Sequence, residues 1–130
     1  MNYGKVIFSL LSNSTDVTGI VGQNIYPVRS ANQTPFPYVV YSQIANEPQN
    51  VKQKQTPVDI ASFQLDCYAR NHTTAAELSE KVRTALDKQS GTIAGQEVAG
   101  ASFQSSDFAF DEDQDVQRVI VEVDLFIQRN

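Results

Sequence analysis

Two segments of the chain alternate between apolar and polar positions, which is typical of strands with one buried face. In residues 116–128 the apolar side chains of one face are Val119, Val121, Val123, Leu125 and Ile127. In residues 61–68 the corresponding side chains are Ala61, Phe63, Leu65 and Cys67. Both segments are therefore predicted to be strands that bury one face in a hydrophobic core.

Two further segments are predicted to be strands from their composition. Residues 38–45 follow a proline and are rich in β-branched and aromatic side chains, and a proline suits the first position of a strand. Residues 103–110 contain three phenylalanines whose spacing breaks the period of two, which indicates a bulge near Ser105–Ser106. Residues 111–115, four of which are acidic, are predicted to form a hairpin turn that leads into the last strand.

Residues 74–88 carry the clearest helical pattern in the chain. Their apolar positions recur with a period near 3.6 and form one stripe: Ala75, Leu78, Val82, Ala85 and Leu86. Thr74 and Glu77 have the spacing of a capping box, in which two side chains satisfy free N–H groups at a helix start. This segment is predicted to be the main amphipathic helix.

The first part of the chain is predicted to form two short helices. Residues 5–12 group their apolar side chains closely and run into a polar break. Residues 16–21 follow Ser14 and Thr15, either of which can cap a helix, and Gly22 can end it.

The order of these elements predicts an α+β domain that spans residues 1–130. Hairpins on either side of a helix favour a mostly antiparallel sheet of four to five strands, with the main helix and the short N-terminal helices packed on one face. Two polar, proline-containing segments, at about 29–37 and 46–59, are predicted to be mobile loops.

Several apolar side chains lie on the face of the strands that is otherwise polar. They are Tyr68, Ile120 and Phe126. A helix or another subunit could cover this face, because apolar groups on a nominally wet surface often mark a contact. Scattered surface apolarity is the alternative explanation, since it is common in globular proteins.

The acidic cluster DEDQD at 111–115, together with Asp107, could supply oxygen ligands to Ca²⁺. It lacks the glycine and the distal glutamate of an EF-hand loop. A solvated hairpin turn explains the same residues, and we favour that interpretation, so no metal site is predicted.

Catalytic residues are not indicated by the sequence. His72 is the only histidine and precedes a helix, where polar residues satisfy free backbone groups. Cys67 is the only cysteine and alternates with core positions, which is typical of a small buried hydrophobe. A Cys–His nucleophile pair would need these two side chains in contact. The chain has no phosphate-binding glycine motif and no nucleophile elbow.

The charge and hydropathy of the chain exclude several classes of protein. The net charge is −5 and the basic residues are dispersed, so a nucleic-acid-binding face is not predicted. No apolar run approaches the ~20 residues that span a bilayer, and the N-terminus lacks the features of a signal peptide.

The ordered set of signals resembles a known family. It consists of IYP (25–27), PYVVY (37–41), FQLDCYA (63–69), AAELSEKVRTALD (75–87) and VQRVIVEVDLFIQ (116–128). The set resembles the tail completion, or tail terminator, proteins of long-tailed bacteriophages and related prophages.

The resemblance implies a virion structural protein without catalysis or cofactor, assembled in the host cytoplasm. Such proteins form rings, typically hexamers, that cap the head-proximal end of the tail tube. The implied partners are further copies of the chain, the tail tube protein and the head-tail connector, while DNA passes through the lumen without specific binding. A neck or connector protein on the portal side is the alternative, and an enzyme or a small Ca²⁺-binding module is less favoured.

Nine residues are expected to contribute to an interaction surface in such a ring. Those in the two loop segments or beside them are Arg29, Gln33, Phe36, Gln49, Lys52 and Lys54, and those on the strands are Tyr68, Ile120 and Phe126. Extended segments can add contact area to a neighbour and become ordered when they dock.

Overall fold

The computed structural model describes residues 3–27, 36–48, 58–111 and 116–128. The helices are α1 (Gly4–Ser12), α2 (Thr15–Val21) and α3 (His72–Leu86). The strands are β1 (Ile25–Pro27), β2 (Tyr38–Pro48), β3 (Val58–Ala69), β4 (Gly91–Ile93), β5 (Gln96–Asp111) and β6 (Val116–Gln128). None of the three helices has the length and apolar content needed to cross a membrane.

The six strands form one sheet in the order β1-β2-β3-β6-β5-β4. β1 runs parallel to β2, and the other neighbours are antiparallel. The predicted α+β class is confirmed, with six strands in place of four to five. The additional strand is β4, which has three residues and is too short to show a period in the sequence.

The helices pack on one face of the sheet and enclose the hydrophobic core. Every second side chain of β3 is buried, and the same alternation runs along β6 from Val119 to Ile127. The predicted inward-facing residues of these strands all belong to this core. Burial of one face fixes the register, because a slip of one residue would expose the whole apolar set.

The N-terminal helices form as the sequence predicts. The Ser14 hydroxyl caps α2 by accepting a hydrogen bond from the Val17 N–H at 3.3 Å. Gly22 follows α2 with a φ of 62°, a conformation that favours glycine.

The start of α3 differs from the prediction. The cap is Asn71, whose Oδ1 accepts a hydrogen bond from the Thr74 N–H at 2.8 Å. Thr74 therefore lies within the first turn, and the predicted capping box of Thr74 and Glu77 is wrong. Asparagine is as good a cap as serine, and it lies three residues earlier than the threonine.

The strands around the predicted loops are longer than expected. β2 continues to Pro48 and β3 begins at Val58, so strands occupy both ends of the segment predicted as a loop at 46–59. Residues 36–37 bend into β2, and β5 includes Asp111, which was assigned to the acidic turn. Residues 28–35, 49–57 and 112–115 lie outside the described residues.

The predicted bulge in the strand of phenylalanines is present. The pairing of β5 with β6 shifts by one residue between Phe103 and Ser105, and a second shift lies between Val98 and Gly100. An extra residue in one strand bends it and increases its twist. The shift near Ser105 therefore changes the face of the sheet on which Phe108 and Phe110 lie, relative to Phe103, from that in a regular strand.

Candidate functional site

The candidate site is the face of the sheet that lies opposite the helices, which we call the open face. Its side chains come from β2, β3, β6 and β5, and they are mostly half-buried. All three helices pack against the other face. Within the described part of the chain, no helix or strand covers the open face.

The register of the strands divides the open face into three zones. One end, the aromatic end, contains Phe36, Tyr38, Tyr68, Arg70 and Arg118. The middle, the acidic zone, contains Asp66, Asp107, Glu122 and Asp124. The other end, the apolar end, contains Ile60 and Phe126.

The aromatic end is a continuous stack of rings and guanidinium groups across three strand ends. The rings of Tyr38 and Tyr68 stack with centroids 4.8 Å apart, and the Phe36 ring lies 5.1 Å from that of Tyr38. The guanidinium carbons of Arg70 and Arg118 lie 4.5 Å from the Phe36 centroid and 5.8 Å from the Tyr68 centroid. Aromatic pairs contribute about 0.5–1.5 kcal/mol beyond their burial, so these side chains hold one another in place.

Arg118 joins the aromatic end to the acidic zone through an ion pair with Asp66. The Nη2 atom lies 3.1 Å from Oδ2 of Asp66, whose Oδ1 accepts a hydrogen bond from the Gln64 amide at 3.1 Å. Both charged side chains retain contact with water, so the pair stabilises the fold by at most about 1 kcal/mol. Burial, followed by the nearby Asp66 charge, raises the pKa of Tyr68, so its hydroxyl stays protonated at neutral pH.

The acidic zone carries a net negative charge. Asp124 accepts a hydrogen bond from the Ser62 hydroxyl at 2.7 Å. It lies two residues from Glu122 along β6, on the same face of the sheet. Arg118 is the only basic side chain that the described parts of β2, β3, β5 and β6 place on this face. Arg118 pairs with Asp66, which leaves Asp107, Glu122 and Asp124 without an ion pair among the described residues.

The apolar end is built around Phe126. Its partner on β3 is Ile60, and its partner on β5 is Gly100. A Cβ atom on Gly100 would lie 3.8 Å from Cδ2 of Phe126, so the phenyl ring contacts the surface of β5 where a side chain is missing. Phe126 remains half-buried in the single chain.

Four of the nine residues expected to form an interaction surface lie on this face. Phe36 and Tyr68 meet in the aromatic end, whereas Phe126 lies at the opposite end. Ile120 lies between Asp66 and Asp107 and is half-buried. The other five expected residues lie outside the described ranges: Arg29, Gln33, Gln49, Lys52 and Lys54.

Three members of the aromatic end were not predicted from the sequence. They are Tyr38, Arg70 and Arg118. Tyr38 and Arg118 are the direct neighbours of Tyr68 on the flanking strands, so the register was needed to find them. Alternation placed Tyr68 and Arg118 on the outer faces of their strands, but it did not show that they are neighbours.

The side chains considered for catalysis or metal binding have structural surroundings. Cys67 is fully buried in the core, and burial raises the pKa of its thiol, which disfavours the thiolate. The ring of His72 stacks on Phe108 with centroids 4.9 Å apart. Among the described residues, no three histidine, cysteine or carboxylate side chains lie close enough to hold a metal ion.

Comparison with solved structures identifies the fold in other proteins. A chain from the virion of a native gene transfer agent particle aligns with a TM-score of 0.76 at 15% identity, covering 95% of this chain and 92% of that chain. A second solved structure aligns with a TM-score of 0.60 at 9% identity, covering 92% of this chain and 89% of that chain. At such low identity these similarities establish the fold alone.

Sequence comparison gives the family. No curated protein matches the chain. Residues 5–128 match the family described as tail completion protein gp17, so the match includes all six strands, α2, α3 and all of α1 except its first residue. The chain therefore belongs to the tail completion protein gp17 family and is a structural protein of a phage tail.

Proposed function

We propose that copies of this protein form a ring that caps the head-proximal end of a tail tube. The ring stops polymerisation of the tube and provides the surface to which the head is joined. The observation that carries this proposal is membership of the tail completion family across residues 5–128. The zones of the open face support a specific orientation of each copy in the ring.

A cap of this kind needs two different surfaces, one for the tube and one for the head. Head-to-tail contacts around a closed ring leave both ends of the ring free, because every copy uses the same pair of side surfaces. The two ends of the open face differ in chemistry. The aromatic end contains Arg70 and Arg118, whereas the apolar end contains Ile60 and Phe126.

The acidic zone suits the wall of a channel through which DNA passes. Asp107, Glu122 and Asp124 repel phosphate groups, so DNA would cross the ring without binding to it. We propose that the open face lines the lumen and that the helices lie on the outside of the ring. The net charge of −5 for the whole chain agrees with this arrangement.

The two ends of the open face suit contacts with axial partners. Tyrosine, phenylalanine and arginine are enriched among residues that dominate protein–protein binding. Tyr38 and Tyr68 are already held by stacking, so they lose little conformational freedom when a partner binds. We propose that the aromatic end meets one axial partner and Phe126 meets the other.

Binding to purified partners tests this proposal. The protein is mixed separately with tail tube protein and with head-tail connector protein, and each mixture is inspected by electron microscopy and pull-down. Rings seated on tube ends are the expected result. Binding to the connector without any binding to the tube would identify a neck protein on the portal side and contradict tube capping.

Variants of the aromatic end sharpen the same test. The double variant Y38S/Y68S is expected to lose binding to one axial partner by tenfold or more, while binding to the other stays within about twofold. The matched control is T84A/E80A on the exposed side of α3, which should bind both partners normally. Equal losses toward both partners, or none, would contradict the assigned role of this end.

A further inference from the structure

We infer that neighbouring copies join through the two edges of their sheets, with the free part of β5 in one copy against β1 of the next. The inference rests on the proposed function, because it takes from that proposal that copies of the chain form a ring. The inference identifies the two surfaces through which neighbouring copies contact each other. It is argued from strand pairing, exposed side chains and charge.

The edge of β5 is unpaired over most of its length. β4 pairs only with Gln96–Val98 of this strand. Beyond it, the Ala101 carbonyl accepts a hydrogen bond from the Lys88 N–H, and the Phe103 N–H donates one to Asp87. From residue 104 to residue 110, no described residue pairs with this edge. A long free edge is a template for another strand, and proteins usually protect or use it.

Exposed phenylalanines mark the free part of β5. The side chains of Phe108 and Phe110 are 57% and 49% exposed. Their partners on β6 are Val119 and Gln117, and Val119 belongs to the core, so both rings lie on the helix side of the sheet. Adjacent large apolar groups at a free edge are typical of a contact surface.

The other edge of the sheet offers open clefts on the same side. β1 is the outer strand there, and Phe8 of α1 lies beside it with 44% of its side chain exposed. One cleft of about 350 Å³ is lined by Phe8, Lys5 and Pro27, and another of about 560 Å³ by Phe8, Gly22 and Ile25. Each cleft is large enough for a phenyl ring.

Residues of the two edges lie at the same level along the strand direction, which we call their height. Pairing across the sheet places Ile25 of β1 in one row with Phe108, through Val39, Cys67 and Val119. Pro27 likewise shares a row with Ser106. Rotation about a ring axis that runs along the strands keeps these heights unchanged, so β1 of one copy meets residues 106–108 of its neighbour.

The directions of the two strands also match. β1 runs parallel to β2, and three antiparallel steps separate β2 from β5. β1 and β5 therefore run in opposite directions, and their edges can meet as an antiparallel pair. Head-to-tail repetition of this contact continues the sheet from copy to copy until the ring closes.

Charge selects this contact over a two-fold pairing of β5 with itself. Asp107 is exposed on the free edge of β5, so two such edges side by side would bring like charges together. The three residues of β1 are uncharged, so Asp107 meets no like charge in β1 of a neighbouring copy. β1 of a neighbouring copy is therefore the occupant that matches the free edge of β5 in row, strand direction and shape.

Cysteine cross-linking tests this arrangement without the tail tube. The variants P27C and S106C place exposed cysteines in one row on opposite edges, and the native Cys67 is fully buried. With a short bismaleimide, the double variant P27C/S106C is expected to give a ladder of linked copies that ends at the ring size. An equimolar mixture of the two single variants should give dimers as its main linked product.

The matched control P27C/E80C moves the second cysteine to the exposed side of α3. It should give less than a tenth of the linked product of the double variant. If both double variants link equally, or if neither links although rings are seen by microscopy, the edge contact is wrong while the ring survives. If the ladder forms but tubes are not capped, the proposed function fails and the edge contact stands.

Replacement of the exposed phenylalanines gives an independent test. F108S/F110S is expected to reduce the fraction of rings, measured by native mass spectrometry, at least tenfold. I44S removes an equally exposed apolar side chain at the bulge of β2 and serves as the control. Thermal unfolding verifies that both variants fold, and rings of normal abundance in folded F108S/F110S would overturn the inference.

Discussion

The guanidinium group of Arg118 lies 3.1 Å from the carboxylate of Asp66, across the boundary between the aromatic end and the acidic zone. This pair neutralises the acid next to the aromatic stack, whereas the other three acids of the acidic zone have no ion pair within the described ranges. In the described open face, the aromatic end therefore has its acid neutralised, whereas the acidic zone is negatively charged. The aromatic end suits contact with a partner, and the acidic zone suits a channel wall that repels DNA.

Reversal of charge in the acidic zone should make the ring bind DNA. E122K/D124K adds positive charge to the proposed wall of the lumen, and each new phosphate contact should steepen the salt dependence of binding by a slope of about −0.9. Fluorescence anisotropy with double-stranded DNA at several salt concentrations measures both the affinity and the slope. The wild-type protein is expected to show no binding.

The control for this variant carries the same change of charge on the other side of the molecule. E77K/E80K alters two exposed residues of α3, which the proposal places on the outside of the ring. The affinity of E77K/E80K for DNA should be at least fivefold weaker than that of E122K/D124K. Equal binding by both variants would contradict the assignment of the open face to the lumen.

The cap of α3 gives a prediction about stability. N71A removes the acceptor of the Thr74 N–H and should lower the free energy of unfolding by about 1 kcal/mol. T74A retains the cap and should change it by less than about 0.5 kcal/mol. Urea denaturation measures both values, and a larger loss in T74A than in N71A would restore Thr74 as the cap.

Gly19 inside α2 and Gly22 directly after it should respond to alanine in opposite directions. Gly22 has a φ of 62°, so G22A should lower the free energy of unfolding by about 1 kcal/mol or more. Gly19 lies inside the helix, where alanine should raise it by about 0.5–1 kcal/mol. A Cβ atom would meet nothing within 4 Å at either position, so backbone conformation alone decides the sign. Urea denaturation of both variants checks it.

Alkaline pH should destabilise the fold through groups that keep their protons when folded. Burial raises the pKa of the Cys67 thiol above 9.0, and burial also raises those of Tyr41 and Tyr68 above 10.0. The stabilising effect of these groups is complete at pH values below the pKa values that they have in the unfolded chain. It is lost as pH rises through the pKa values of the folded protein, because the unfolded chain then binds fewer protons than the folded protein does. The free energy of unfolding should therefore fall above about pH 9.

Urea denaturation at a series of pH values measures this effect. C67A removes the thiol, so its stability should begin to fall only near pH 10, where the tyrosines titrate in the unfolded chain. The wild-type protein should begin to fall about one pH unit lower. Identical pH profiles for the two proteins would contradict the assignment to Cys67.

Much of the fold was predictable because one face of each main strand is buried. The alternation in β3 and β6 and the apolar stripe of α3 are direct consequences of that burial, and they located these elements correctly. β4 was not assigned as a strand, because three residues cannot show a period. Asn71 was missed as the cap because a hydroxyl residue nearby had the expected spacing.

The candidate site was predictable only in part. Alternation placed Tyr68, Ile120 and Phe126 on the outer face, and all three lie there. The stack of Tyr38 on Tyr68 joins residues that are distant in sequence, and only the pairing register brings them together. The free edge of β5 was likewise hidden, because it depends on β4 ending after three residues.

The length of tail tubes assembled with this protein tests the central claim most directly. Tail tube protein is polymerised alone and with increasing amounts of the protein, and tube lengths and ends are measured by electron microscopy. Tubes that shorten as the protein is added, each with one ring at a single end, are the predicted result. Tubes of unchanged length without rings at their ends would contradict the account.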